Sequence, residues 1–210
     1  MTFRLHPGQA APVQQTSVSC GGACLVMARM LDDPAYAATL TSGDSTVQAQ
    51  RFATEERAMM RLANAWTVRG GSVLSDLPWT RRLGTSPWGA AEVLSRGTGI
   101  DYGVRLLRGR SRRTVDELLR RAAGPSTPAL FYVGDQLLTR HVTLLTGLDD
   151  ETLVYEPARG HVLRLGAGSL DGRFLVPRRL DHSLAPGSAY GTLFVVAVNT
   201  AVLQYHRSAR

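Results

Sequence analysis

Cys20 stands in the segment QQTSVSCGGACLVM (residues 14–27), and His141 opens the apolar run RHVTLLTGL that ends at Leu148. A thiol becomes a strong nucleophile when an adjacent base ionises it, and an imidazole serves that purpose. Cys20 follows a polar stretch and precedes Gly21 and Gly22, after which the sequence turns into an apolar helix. A thiol there sits at the positive end of a helix macrodipole, where the thiolate is favoured. Attack on a carbonyl also needs donors aimed at the developing oxyanion. The backbone N–H of Cys20 is one. Gln14 or Gln15, six and five positions upstream, would supply the second. These residues read as the parts of a cysteine-nucleophile enzyme.

His141 has a partner in the pattern that follows it. Asp149-Asp150-Glu151 is a short turn between two strand candidates, and the second strand ends at Tyr155-Glu156-Pro157. A hairpin through that turn brings His141 and Glu156 near one another on neighbouring strands. A carboxylate there accepts the imidazole N–H, fixes its tautomer and stabilises the imidazolium. His6, His161, His182 and His206 lie near termini, loops or strand ends and are weaker candidates. Cys24, one turn beyond Cys20, fits a small core residue with Met27 and Leu31. Two cysteines four apart on a helix are poorly placed for a disulfide. No second Cys/His cluster completes a zinc site, so no cofactor or metal is expected.

The elements that must position these groups follow from periodicity. Residues 20–31 form a first helix ended by Asp32-Asp33-Pro34, and 35–68 hold a short and a longer helix, broken at Thr41-Ser42-Gly43-Asp44. The longer one carries Phe52, Met59, Leu62, Ala63 and Trp66. Gly70-Gly71 closes it, and 72–86 reads as loop. Ser86-Pro87 starts a helix to about Ser95. A strand covers Tyr102 to Leu107, and Thr114-Val-Asp-Glu117 is a capping box opening a helix that buries Val115, Leu118, Leu119 and Ala122. Strands are expected at 128–133, 138–148, 152–156, 161–165 and 192–198. Helices followed by clustered strands give an α+β fold, a helical N-terminal half packed on a mainly antiparallel sheet.

A chain of 210 residues buries one sizeable core. We read residues 1–210 as a single domain with a helical insertion at about 32–85. The net charge is +7, and every one of the 24 basic residues is arginine. The cluster Arg105, Arg108, Arg110, Arg112 and Arg113 lacks interleaved aromatics and a nucleic-acid module, so it reads as a solvated surface rather than a nucleic-acid site. No apolar run approaches the roughly 18 residues of a bilayer span. The N-terminus shows no secretory signal, which makes the cytoplasm the expected compartment.

The pattern Gln-x5-Cys-Gly-x-Ala-Cys-Leu-x-Met, followed by Arg-His-Val and a Tyr-acid-Pro-x-x-Gly segment, resembles the papain-like cysteine peptidases. It is most similar to the branch that removes double-glycine leader peptides, together with its stand-alone relatives. The resemblance covers 14–31, 86–96 and 128–160. It implies a papain-like fold, Cys20 as nucleophile, His141 as base, Gln14 in the oxyanion hole by its spacing, and Glu156 where the family usually has Asp. It further implies a peptide or protein substrate, with Gly-Gly before the cut as first guess. Glu156 stands about one residue closer to His141 than the family spacing, and Ser19 occupies a position where leader-processing enzymes often carry Asp.

Two functional readings follow. One is a cysteine peptidase or amidase working through a thioester, with acyl transfer as a variant of the same chemistry. The other is a catalytically silent peptidase-like domain that binds a peptide or partner protein. Residues 32–85 would form a lid or groove, with Trp79 and Trp88 as groove walls or core anchors. Oligomeric state is not legible in the sequence.

Overall fold

The computed structural model describes residues 3–65, 84–106, 112–124, 127–134, 139–165 and 195–199. Helix α1 (Cys20–Asp32) is followed by α2 (Pro34–Thr41), α3 (Ser45–Ala65) and α4 (Pro87–Thr98). Strand β1 (Tyr102–Leu106) and helix α5 (Arg112–Ala122) precede β2 (Ala129–Gly134), β3 (Thr139–Leu148), β4 (Glu151–Glu156), β5 (His161–Arg164) and β6 (Val195–Asn199). The strands form one sheet in the order β1-β6-β2-β3-β4-β5, and every neighbouring pair is antiparallel. The fold is therefore α+β with an antiparallel sheet.

Local signals set the helix ends. Asp33 closes α1 through its N–H to the Arg29 carbonyl, then caps α2 by accepting from Ala35 and Tyr36 N–H, with Pro34 in the first turn. Asp44 accepts from Thr46 and Val47 at the start of α3. Ser86 accepts from Gly89 N–H at the start of α4, and left-handed Gly99 closes that helix. The described part of the expected strand 102–107, Tyr102–Leu106, is present, and the helix from Ser86 runs three residues further than read. Helix α5 begins at Arg112, two residues before the Thr114 at which the capping box sets its start. Periodicity located the buried face correctly, since Val115, Leu118, Leu119 and Ala122 are all buried.

The sheet separates two apolar clusters. Leu130, Tyr132, Val142, Leu144, Leu153 and Tyr155 pack with α1, α3 and α4 residues. Phe131, Val133, Leu145 and Val154 pack with Val115, Leu118, Leu119 and Ala122 of α5. The alternation along β2, β3 and β4 is the period of a strand covered on both faces. Helix α1 is buried nearly all round, from Cys20 through Ala28 and again at Met30. Arg29 leaves the interior and stacks on the Tyr36 ring, 3.9 Å from its centroid.

Helix α3 packs on α1 and α4 rather than standing apart from them. Its inner face carries Phe52, Ala53, Glu56, Met59 and Ala63. Leu62, expected on that face, is 45% exposed. Close contact explains several glycines: a Cβ on Gly22 would lie 2.5 Å from the Glu56 carbonyl oxygen, and one on Gly89 would overlap the Ala63 carbonyl. Trp66, Gly70, Gly71, Trp79, Arg108, Arg110 and the tail after Asn199 lie outside the described residues.

Candidate functional site

Cys20 is the first residue of α1. Ser19 precedes it without capping the helix through its side chain, and the first turn holds no acid. The N–H groups at this end are therefore not taken up by a side-chain cap. Ser19 turns its hydroxyl back instead. Its Oγ donates to the Thr16 carbonyl at 3.0 Å and accepts from Thr16 N–H at 3.1 Å. This closes a tight turn immediately upstream of the thiol.

His141 lies in β3, opposite Val133 of β2. The register slips there, because the next paired residues are Gly134 and Thr139, leaving Arg140 as an extra backbone residue. Such a bulge re-aims the side chain beside it. Leu144 pairs with Tyr155, so Glu156 stands one residue further along β4, on the side of the ladder that His141 shares. His141 Nε2 and Glu156 Oε1 are 2.7 Å apart, with both side chains 4% exposed. Glu156 also accepts from Ala158 N–H at 3.0 Å and Arg159 N–H at 2.9 Å, so the turn after β4 holds its rotamer. The longer Glu side chain reaches its histidine from this position.

The electrostatics match the geometry. Burial alone would push His141 down, but hydrogen bonds to Cys20 and Glu156 and their negative charges outweigh it and raise the imidazole from 6.5 to about 9. Burial would likewise raise Glu156, yet the His141 hydrogen bond and charge and the two backbone donors hold it below its ordinary value. The Cys20 thiol and the Glu156 carboxylate thus both act on the one imidazole. Cys20 itself is only 5% exposed.

Cys24 is different in kind. It is fully buried, and its thiol donates to the Val142 carbonyl at 3.6 Å. Burial, with the negative charges around it, pushes this thiol well above its usual value. It ties α1 to β3 one residue from His141.

The two glutamines separate clearly. Gln14 N–H donates to the Pro157 carbonyl at 2.8 Å, which sets Gln14 beside the turn that follows Glu156. Its Nε2 donates to the Thr16 carbonyl at 2.7 Å, while its Oε1 is buried without a hydrogen-bond partner. Gln15 is exposed, and its side chain returns to the Val13 carbonyl. The arm carrying both is pinned to β4, β5 and the turn between them. Gly8 N–H donates to Val162, Ala11 N–H to Gly160, and the Tyr155 hydroxyl to Pro12, at 2.9, 2.7 and 2.6 Å.

One residue at this site carried no signal in the sequence. Glu56 of α3 is fully buried, and its two carboxylate oxygens accept from Gln15 N–H at 3.2 and 3.1 Å. Burial raises its carboxyl, while the nearby Ser19 hydroxyl, the Gln15 N–H and the charge of Arg57 pull it back only in part. A cavity of about 580 Å³ runs along α3 by Ser45, Ala49, Ala53 and Arg57 and meets the turn before Cys20 only at Gln15. Trp88 is half-buried near the start of α4. Among the described residues, no group of three or more His, Cys, Asp and Glu side chains is placed to hold a metal, and no helix is long and apolar enough to cross a membrane.

No protein-family model and no curated protein match the sequence. Among solved structures the chain is similar to the crystal structure of the Pseudomonas avirulence protein AvrPphB, with 12% identity and a TM-score of 0.48, over 89% of this chain and 95% of that one.

Proposed function

We propose that the protein is a papain-like cysteine peptidase or amidase in which Cys20 is the nucleophile, His141 the general base and acid, Glu156 the orienting carboxylate, and Gln14 an oxyanion donor. The observation that carries this reading is the buried His141–Glu156 pair at 2.7 Å, an imidazole held by a carboxylate and raised further by the Cys20 thiol at the start of α1.

The chemistry runs in two halves. The Cys20 sulfur, its proton held on His141, attacks the substrate carbonyl carbon and places negative charge on its oxygen. The Cys20 N–H and the Gln14 amide meet that charge. An amide nitrogen carries two hydrogens, so Nε2 retains one besides the bond to Thr16. Collapse breaks the C–N bond, His141 protonates the leaving amine, and a thioester remains on Cys20. Water then attacks the thioester, giving its proton to His141, and the carboxylic acid departs as the thiol is restored.

For the substrate we propose a peptide with small residues, Gly-Gly in the first instance, before the scissile bond. The resemblance of 14–27 to leader-processing peptidases suggests it. The 5% exposure of Cys20 favours it, since only narrow side chains pass so close to a nearly covered sulfur. The test is mass-spectrometric analysis of a peptide library containing Gly-Gly sites. Cleavage by wild type that disappears in Cys20→Ala supports the proposal; cleavage that persists in the variant sinks it.

The same near-closure of Cys20 favours a second reading, a silent peptidase-like domain that binds a peptide or partner protein. Cys20→Ser retaining such a ligand, with no turnover and no thioester trapped by hydroxylamine in wild type, would select it.

A further inference from the structure

We infer that Glu56 is the positioning residue of the nucleophile turn, holding Gln14–Cys20 in the shape that aims both the thiol and the oxyanion donors. The inference rests on the proposed role of Cys20 and assigns part of that role to a side chain on α3.

Three observations carry it. Glu56 is fully buried on a helix face that is otherwise Phe52, Ala53, Met59 and Ala63. A carboxylate in such a place is costly unless its acceptor capacity is used. Both of its oxygens are turned to Gln15 N–H, the amide directly after Gln14. The carboxylate thus holds the turn at its upstream end.

The backbone of Glu56 bears on α1 two residues beyond the turn. Its carbonyl stands where a Cβ on Gly22 would be, 2.5 Å from that position, so α1 can approach this point of α3 only with glycine there. Three other amides of the turn are engaged elsewhere: Gln14 N–H with Pro157, Thr16 N–H with Ser19 Oγ, and Ser19 N–H with the Thr16 carbonyl at 3.4 Å. Gln15 N–H has Glu56 alone. Without that acceptor the turn loses its side-chain tie to α3, and the geometry at Cys20 relaxes. Misplacement of a reacting group by about 1 Å is enough to cost on the order of a hundredfold in rate.

The test compares two substitutions that separate acceptor from volume. Glu56→Gln preserves size but loses one acceptor oxygen and the charge, whereas Glu56→Asp preserves both oxygens and loses a methylene. The probe is iodoacetamide, with modification at Cys20 and Cys24 resolved by mass spectrometry, alongside amide hydrogen exchange over 14–20. The expected order of Cys20 labelling is wild type, then Asp, then Gln. The Gln variant falls about tenfold or more, with Cys24 silent throughout and exchange raised in the turn but not along α3. A merely structural role gives another result: Asp is the worse variant, and Cys24 becomes accessible with Cys20 as the core loosens. Equal Cys20 rates in all three proteins overturn the inference while leaving the functional reading intact. Cys20 no faster than Cys24 in wild type overturns both. Gln15→Pro, which removes the N–H that Glu56 accepts from, provides the second arm if either Glu56 variant fails to fold, and it must slow Cys20 in the same way.

Discussion

His141 Nε2 stands 2.7 Å from Glu156 Oε1, on two strands joined by the tight turn at Asp149 and Asp150. The pair sets a two-sided pH dependence of stability. His141 is raised in the fold from 6.5 to about 9, so its contribution is complete below pH 6.5 and is lost as pH rises through about 9. Glu156 is lowered from 4.5, so its contribution is present above that value and is lost as pH falls through the lowered one. Denaturation midpoints followed against pH should be highest between 4.5 and 6.5 and fall on both sides. His141→Ala should flatten the alkaline limb. A limb that persists unchanged in this variant would assign it to another group.

Glu156→Gln keeps a hydrogen-bond acceptor at His141 but removes the charge. The imidazole pKa should fall below its wild-type value, because one of the two groups raising it is gone. Proton NMR titration of His141 checks the shift. Turnover should fall on the order of a hundredfold, as expected when an acid–base group is mis-tuned. Equal turnover in wild type and variant would leave Glu156 a packing role only.

The two thiols should differ sharply in native protein. Cys20 is expected to react with iodoacetamide, whereas Cys24, fully buried and held as a donor to Val142, stays unmodified until the chain is unfolded. His141→Ala should slow Cys20 and leave Cys24 unaffected. Equal, sluggish modification of both in wild type would count decisively against the nucleophile assignment.

Gln14→Ala should lower kcat by on the order of a hundredfold while KM changes little, the signature of a lost oxyanion donor. Gln15→Ala should be nearly silent, because its side chain reaches only the Val13 carbonyl. Steady-state kinetics on a cleaved peptide distinguishes the two, and the reverse ranking would move the oxyanion role to Gln15.

Glycine substitutions test how tightly the helical layer is assembled. Gly22→Ala places a methyl against the Glu56 carbonyl and should destabilise by about 1–3 kcal/mol. Gly97→Ala meets nothing within 4 Å near the end of α4 and should stabilise by about 0.5–1 kcal/mol. Urea denaturation reads both, and a neutral Gly22→Ala would mean that α1 and α3 separate freely there.

Much of this arrangement was legible in the residues. Helical spacing located α1 and the buried face of α5, and the Asp149 turn located the β3–β4 pair that brings His141 to Glu156. Other parts depend on contacts that no local pattern encodes. Glu56 sits among charged and polar neighbours on an amphipathic helix, where a glutamate ordinarily faces water. Only the packing of α3 onto the nucleophile turn buries it. Leu62 shows the converse, an apolar residue left outside because Ala63 already meets α4 at backbone distance. Gln14 and Gln15 are distinguished by the path of an irregular arm, which has no period to read.

That arm has a consequence for how the molecule matures. Gly8, Ala11 and Gln14 are fastened by backbone bonds to Val162, Gly160 and Pro157, and the thiol on α1 waits for an imidazole on β3. Chains emerge from the ribosome N-terminus first. A nascent polypeptide therefore displays its sulfur well before the residues that arm it have been translated, and remains chemically mute until the second half is threaded back onto the first.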